Sequence, residues 1–149
     1  MKMARIKDKF QRILLPIDFS EQSEKAAEYA LMLARRDGAL LQVMHVLNVS
    51  SDITGLLRPS NMRGMLREVE AGLAKFMAKH LKGYDNVAAD VLSGVPHSAI
   101  VNYAKKNKSD VIVIGSHGKG ALDRLIVGSN TERVLRKAPC PVLVVPPKG

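Results

Sequence analysis

The chain holds one cysteine, Cys140, so no internal disulfide can staple it. It has no tryptophan, three tyrosines and three phenylalanines. Those rings do not interleave with the basic residues. Single-stranded nucleic acid binds where bases stack on rings beside a cationic groove, so nucleic acid is a poor fit as a partner. No apolar run approaches the roughly 20 residues that cross a bilayer, and no membrane association is expected. The basic stretch from Met1 to Arg12 lacks the apolar core of a secretory signal. With a lone thiol lying between Pro139 and Pro141, a cytoplasmic location is expected. Two phosphate-binding signatures are missing as well. There is no G-x4-G-K-[ST], and Gly118-Lys119-Gly120 runs into Ala121, Leu122 and Asp123, which breaks G-x-G-x-x-G. P-loop hydrolysis and dinucleotide-dependent hydride transfer are therefore unsupported. No two of His45, His80, His97 and His117 stand at metal-ligand spacing, so no protein metal site is expected.

What is present fits one α/β domain over residues 1–149, with 1–11 as a basic arm. A chain of 149 residues, 46% hydrophobic and 25% charged, can build a real core. The formal net charge is +9. The excess gathers at Lys2, Arg5, Lys7, Lys9 and Arg12, at Lys105-Lys106-Asn107-Lys108, and at Arg133, Arg136 and Lys137. Such a balance suits anionic partners, and it equally suits a solubilising surface.

Strand-like and helix-like segments alternate. Ile13-Leu14-Leu15-Pro16-Ile17 is a short apolar run ending at Asp18. Ser20 caps a helix with Glu21 and Glu24 in its first turn, and Gly38 ends it. Leu40 to Leu47 reads as a second strand. Asn48 to Asn61 is rich in turn residues and reads as a long mobile loop. Met62 to Lys82 repeats apolar residues at three and four, with Met65, Leu66, Val69, Leu73, Phe76, Met77 and Leu81 as a packing stripe. Val87 to Ser93 is a third strand. Pro96 sits in the first turn of a helix reaching Lys105. Val111 to Ile114, a helix over Ser129 to Lys137, and Val142 to Val145 complete the series. Strands that are apolar without alternation are buried on both faces, as in a parallel, doubly wound sheet.

The fourth of these strands breaks into Gly115-Ser116-His117-Gly118. Nine residues later come Gly128-Ser129, where the next helix begins. A strand that opens into a glycine-bearing loop and restarts as a helix offers a row of backbone N–H groups to phosphate oxygens. Gly115 and Gly118 would let backbone approach such a ligand without a Cβ in the way. Asp18, at the end of the first strand, should face this loop across the point where strand order reverses. Its other reading is a helix cap. His117 could steer a phosphate, or simply pack within the loop. His45 reads as a core or dimer-interface residue. Cys140 reads as a buried, inert thiol.

The pattern Gly115-x2-Gly118-x9-Gly128-Ser129 resembles the phosphate motif of the universal stress protein family, in its nucleotide-binding branch. Ile13-Leu14-Leu15-Pro16-Ile17-Asp18-Phe19-Ser20, Gly94-Val95-Pro96-His97 and Ala138-Pro139-Cys140-Pro141-Val142-Leu143-Val144-Val145 resemble it too, in the right order. The resemblance implies a five-stranded parallel sheet of order 3-2-1-4-5 with helices on both faces. It implies a bound adenine nucleotide, ATP, ADP or AMP, with a divalent cation such as Mg²⁺ carried only by the phosphates. Pro16, Ile17, Asp18 and Val46 would surround the base. Gly115, Ser116, His117, Gly118, Gly128, Ser129, Asn130 and Thr131 would surround the ribose and phosphates. Asn130 departs from the family, which more often has an apolar residue there. The resemblance also implies a homodimer through the edge of strand five, with a further protein partner unidentified. The expected function is a nucleotide-dependent switch in stress response or signalling. Slow ATP hydrolysis, with Asp18, His117 or Asp123 as candidate groups, and a nucleotide-free module binding through its basic surface are the competing readings.

Overall fold

A computed structural model describes residues 6–48, 59–117 and 127–147. Five strands alternate with four helices: β1 (Arg12–Pro16), α1 (Glu21–Asp37), β2 (Leu40–Asn48), α2 (Pro59–His80), β3 (Val87–Gly94), α3 (Pro96–Lys106), β4 (Val111–Gly115), α4 (Ser129–Lys137) and β5 (Val142–Val145). Every strand pairing is parallel, and the order across the sheet is β3-β2-β1-β4-β5. That is the expected doubly wound fold, with β3 and β5 at the two edges.

Side chains of a strand point alternately to its two sides, and here both sides are apolar. Ile13, Leu15, Leu41, Val43, Val111 and Val113 pack with Ala26, Ala30 and Ala34 of α1 and with Leu73 and Phe76 of α2. Leu14, Met44, Ile112 and Ile114 face the other way, against Ile100 and Ala104 of α3 and Val134 of α4. The small alanines let α1 lie close to the sheet.

Helix α1 is bounded as its sequence dictates. The Ser20 hydroxyl accepts from Ser23 N at 3.2 Å, and Gly38 adopts a left-handed conformation (φ 68°) to end the helix. Helix α2 differs from expectation at its start. It begins at Pro59, so residues 59–61 belong to the helix and not to the 48–61 loop. Residues 49–58 of that loop lie outside the described residues. Only the C-terminal half of the expected α2 stripe packs. Leu73 and Phe76 are buried, while Met62, Met65 and Leu66 stand exposed. Periodicity marks the face of a helix but not which of its turns meet a partner.

The N-terminal ends of the strands are laced together. Asp110 accepts from Lys7 Nζ at 2.7 Å through Oδ1, and from Gln11 N and Arg12 N at 2.8 and 2.9 Å through Oδ2. Asp37 accepts from Phe10 N at 2.8 Å. The arm from residue 6 to 11 is thus tied to the sheet.

Candidate functional site

β1 is flanked by β2 on one side and β4 on the other, so the chain leaves the sheet in opposite directions at the C-terminal ends of β1 and β4. A crevice opens at such a point. Here it is a cavity of about 370 Å³, within the size range of small-molecule sites. Ten of the twelve residues anticipated for the site line it: Pro16, Ile17, Asp18, Val46, Gly115, His117, Gly128, Ser129, Asn130 and Thr131. Ser116 does not. Its N–H donates to Val145 O at 2.9 Å, anchoring the loop to β5, and its hydroxyl is 2.9 Å from His117 Nδ1. Gly118 lies outside the described residues.

Asp18 closes one side. Its Oδ1 accepts from Ser20 N at 3.0 Å, from Ser23 Oγ at 2.6 Å and from the Ser20 hydroxyl. Among the described residues no donor reaches Oδ2. One oxygen thus anchors the turn into α1, as the cap reading expects. The next residue, Phe19, has φ 63°, a left-handed conformation that is uncommon for a bulky side chain. Its ring lies against His45 (centroids 4.7 Å) and Phe76 (6.2 Å, edge to face). The carbonyl of Ile17 accepts from His45 at 2.7 Å, which fixes the imidazole proton on Nδ1.

The opposite side is built from the two glycine-bearing stretches. Gly128 N donates to Ser116 O at 2.7 Å, and the Thr131 hydroxyl donates to Gly115 O at 2.8 Å. Gly115, Gly128 and Thr131 also serve packing within the protein. A Cβ on Gly115 would lie 2.7 Å from Gln22 Cβ and 3.1 Å from the Gln22 carbonyl carbon, so the bare backbone at 115 makes room for α1. A Cβ on Gly128 would meet Ser116 O at 3.2 Å, so this glycine seats the helix against the loop. The Thr131 proton is committed to Gly115 and is not available to a phosphate. Helix α4 itself starts without a side-chain cap. Its first residues, Ser129, Asn130 and Thr131, line the cavity at the positive end of the helix dipole.

Two side chains on the cavity wall carry unpaired polar atoms. His117 is 6% exposed, and among the described residues its Nε2 has no partner; Asn130 Oδ1 is likewise buried and without a partner among them. Met44, Pro96, Ile100 and Ile114 complete the apolar lining, and His45 and Ser23 add an imidazole and a hydroxyl. These were not foreseen as site residues. The signal for His45 was its place one residue before Val46 on a strand that ends at the crevice. Pro96 and Ile100 carry no local signal, because only the packing of α3 across the sheet brings them there.

Away from the cavity, burial shifts several titratable groups. Burial, then the charge of Asp110, pushes the half-buried Cys140 thiol up to about 11, so it is no nucleophile. Burial, then Arg133 and Lys137, holds His97 below its ordinary value. Burial raises Tyr103 well above the usual phenol, and its hydrogen bond to Asp90 (2.6 Å) adds to this. His80 packs against Phe76 and lies 3.5 Å from Glu24, at the far end of α2.

Known proteins share this architecture. Universal stress protein MJ0531 of Methanocaldococcus jannaschii is 34% identical over 140 residues, covering 91% of this chain and 82% of its own. The solved structure of MJ0577, another universal stress protein of that organism, superposes with a TM-score of 0.81 at 29% identity over 93% of this chain and 97% of that one. Two further universal stress proteins share the fold and were solved as complexes. One holds cAMP (TM-score 0.62, 22% identity, 93% and 98% of the two chains). The other, from Archaeoglobus fulgidus, holds dAMP (TM-score 0.68, 23% identity, 90% and 96%). The model of the universal stress protein family matches residues 9–146, a span that takes in every strand of the sheet and both walls of the cavity, and the chain belongs to that family.

Proposed function

We propose that this cavity binds an adenine nucleotide, with the base toward Asp18 and Val46 and the phosphates at the N-terminus of α4. One observation carries the reading: an uncapped helix N-terminus and an aspartate with a free oxygen face each other across a cavity of nucleotide size. The helix end supplies N–H donors and a positive potential for phosphate. Asp18 Oδ2 supplies an acceptor for an exocyclic amine, which adenine has and which guanine does not present on the same edge. The apolar walls at Ile17, Val46 and Ile100 suit a flat heterocycle. His117 Nε2, if it carries the imidazole proton while Ser116 donates to Nδ1, gives a further donor to the phosphate end. That two proteins of the same fold hold cAMP and dAMP supports the class of ligand.

Among the described residues no three His, Cys, Asp or Glu side chains gather to hold a metal. A Mg²⁺ ion would then reach the site on the phosphates, where it would offset their charge. The reading extends to a nucleotide-dependent homodimer in stress response, joined through the edge of β5 and acting in the cytoplasm as one domain. A ligand at about 100 times its dissociation constant adds roughly 2.7 kcal/mol to the state that binds it, enough to bias a two-state assembly. Asp18 is held in one pose by three donors on Oδ1, an arrangement suited to recognition. Slow ATP hydrolysis is the competing reading, and a phosphate-release assay on the purified protein tests it.

Titration calorimetry with ATP, ADP and GTP tests the proposal. ATP or ADP should bind in the micromolar range or tighter, and GTP at least ten-fold more weakly. No binding of either adenine nucleotide would overturn it. Sedimentation at micromolar concentration, with and without ATP, tests the dimer.

A further inference from the structure

Four buried side-chain polar atoms lack a partner among the described residues: Gln42 Oε1, Ser109 Oγ, His117 Nε2 and Asn130 Oδ1. The last two lie on residues that line the cavity. Buried polar atoms in native proteins are nearly always paired, so an unpaired one beside a cavity calls for a ligand group. His117 Nε2 can be a donor or an acceptor. A carboxamide oxygen has no such freedom: it only accepts.

Asn130 is the second residue of α4, between Ser129 and Thr131. Its neighbours there are N–H donors that draw an anion, and a carboxamide oxygen among them repels ionised phosphate oxygens. It needs an O–H. We propose that Asn130 is a specificity-determining residue that accepts a hydrogen bond from a hydroxyl-bearing group next to the phosphates. This rests on the adenine-nucleotide reading above. The group is either a ribose hydroxyl or a water molecule on a cation that the phosphates carry. Both present a polarised O–H beside the phosphate chain. The terminal torsion of asparagine is soft, so the carboxamide can turn to meet the ligand. A valine at this position would line the same wall with no acceptor, and the site would then read the phosphates alone.

Calorimetry on wild type and Asn130→Val, with ATP, 2′-deoxy-ATP and 3′-deoxy-ATP, each in EDTA and in Mg²⁺, tests this. In wild type, removing one ribose hydroxyl or removing Mg²⁺ should weaken binding about ten-fold, and Asn130→Val should be indifferent to that same removal. Sensitivity to a deoxy analogue in EDTA identifies the ribose. Sensitivity to Mg²⁺ alone identifies the bound water. Unliganded Asn130→Val should melt no lower than wild type, since it loses an unpaired buried acceptor; Asn130→Ala serves if the valine variant does not fold. Equal responses of wild type and variant to every removal would overturn the assignment while leaving nucleotide binding intact. Failure of wild type to bind ATP at all would instead remove the underlying reading.

Discussion

Two aspartates stand at opposite ends of the sheet, and each accepts three hydrogen bonds. Asp110, at the N-terminal end of β4, spends both oxygens on the chain: Lys7 on Oδ1, Gln11 and Arg12 on Oδ2. Asp18, at the C-terminal end of β1, takes all three donors on Oδ1. The same residue type at the same count of bonds thus serves two ends differently. Asp110 is saturated and holds the strand starts in place. Asp18 is half spent. Around it gather the left-handed Phe19, the uncapped α4 and two unpaired side-chain atoms. The Asp110 end has departures of its own, a left-handed Lys108 (φ 52°) and a Ser109 hydroxyl without a partner among the described residues; what sets the Asp18 end apart is that its two unpaired atoms stand beside a cavity.

The largest challenge to this division is Gly115→Ala. Gly115 belongs to the binding end, yet its missing Cβ is needed to seat α1. The added methyl would stand 2.7 Å from Gln22 Cβ and 3.1–3.2 Å from Gln22 backbone, which cannot swing aside as a side-chain tip can. The unfolding free energy should fall by about 3 kcal/mol, the upper part of the overpacking range, as read by urea denaturation. A neutral result would mean that α1 is not wedged against the loop.

Asp110→Ala comes next. It leaves two backbone N–H groups and a lysine without their acceptor, and should cost roughly 2 kcal/mol while leaving ATP affinity unchanged. The pH dependence has a defined sign. Burial pushes the Asp110 carboxyl up, but Lys7 and the N–H groups of Gln11 and Arg12 outweigh it and hold it below the usual carboxylate range. A carboxyl lowered in the folded state stabilises above its unfolded pKa, and that contribution disappears as pH falls through the folded value. The gap between wild type and Asp110→Ala should therefore be full at neutral pH and close in acid below the usual carboxylate range. Unfolding curves from pH 7 down to about 2.5 measure it.

Asp18→Asn should invert that outcome. An asparagine oxygen still accepts from Ser20 and Ser23, so stability should change by less than about 1 kcal/mol. The free oxygen becomes an NH₂ that faces the adenine amine donor to donor, and ATP affinity should fall at least ten-fold, about 1.4 kcal/mol. Equal affinity would place the base elsewhere.

How far this was legible in the sequence follows from which signals are local. Strand runs such as Val111-Ile112-Val113-Ile114, the Ser20 cap and the Gly38 stop are set by near neighbours, and they were found in place. The convergence of Asp18 with the two glycine stretches was legible because spacing and topology together force it. The reason for each glycine was not. A glycine that admits a ligand and one that admits a helix look identical in a chain of letters, and only the distance from Gly115 to Gln22 separates them. The bond from the Thr131 hydroxyl to Gly115 O was hidden for the same reason, since its partner lies sixteen residues away. The exposure of Met62, Met65 and Leu66 and the arrival of Pro96 and Ile100 at the cavity depend on how elements pack on one another, which periodicity does not encode.

The smallest effect sharpens the comparison within the binding end itself. Gly128 has φ −59°, an ordinary value for any residue, so Gly128→Ala carries no backbone strain. The new Cβ would meet Ser116 O at 3.2 Å and His117 Cα at 3.5 Å, and the loop must yield by a few tenths of an ångström. The unfolding free energy should drop by about 1 kcal/mol or less, the lower edge of the overpacking range. The same shift lengthens the 2.7 Å bond from Gly128 N to Ser116 O, which sets the spacing between the two walls that would hold the phosphates. Nucleotide affinity should consequently fall by more than stability does, in contrast to Gly115→Ala, where stability dominates. If calorimetry and denaturation instead gave Gly128→Ala the Gly115→Ala pattern, both glycines would be packing residues and the phosphate end would have to lie deeper toward His117.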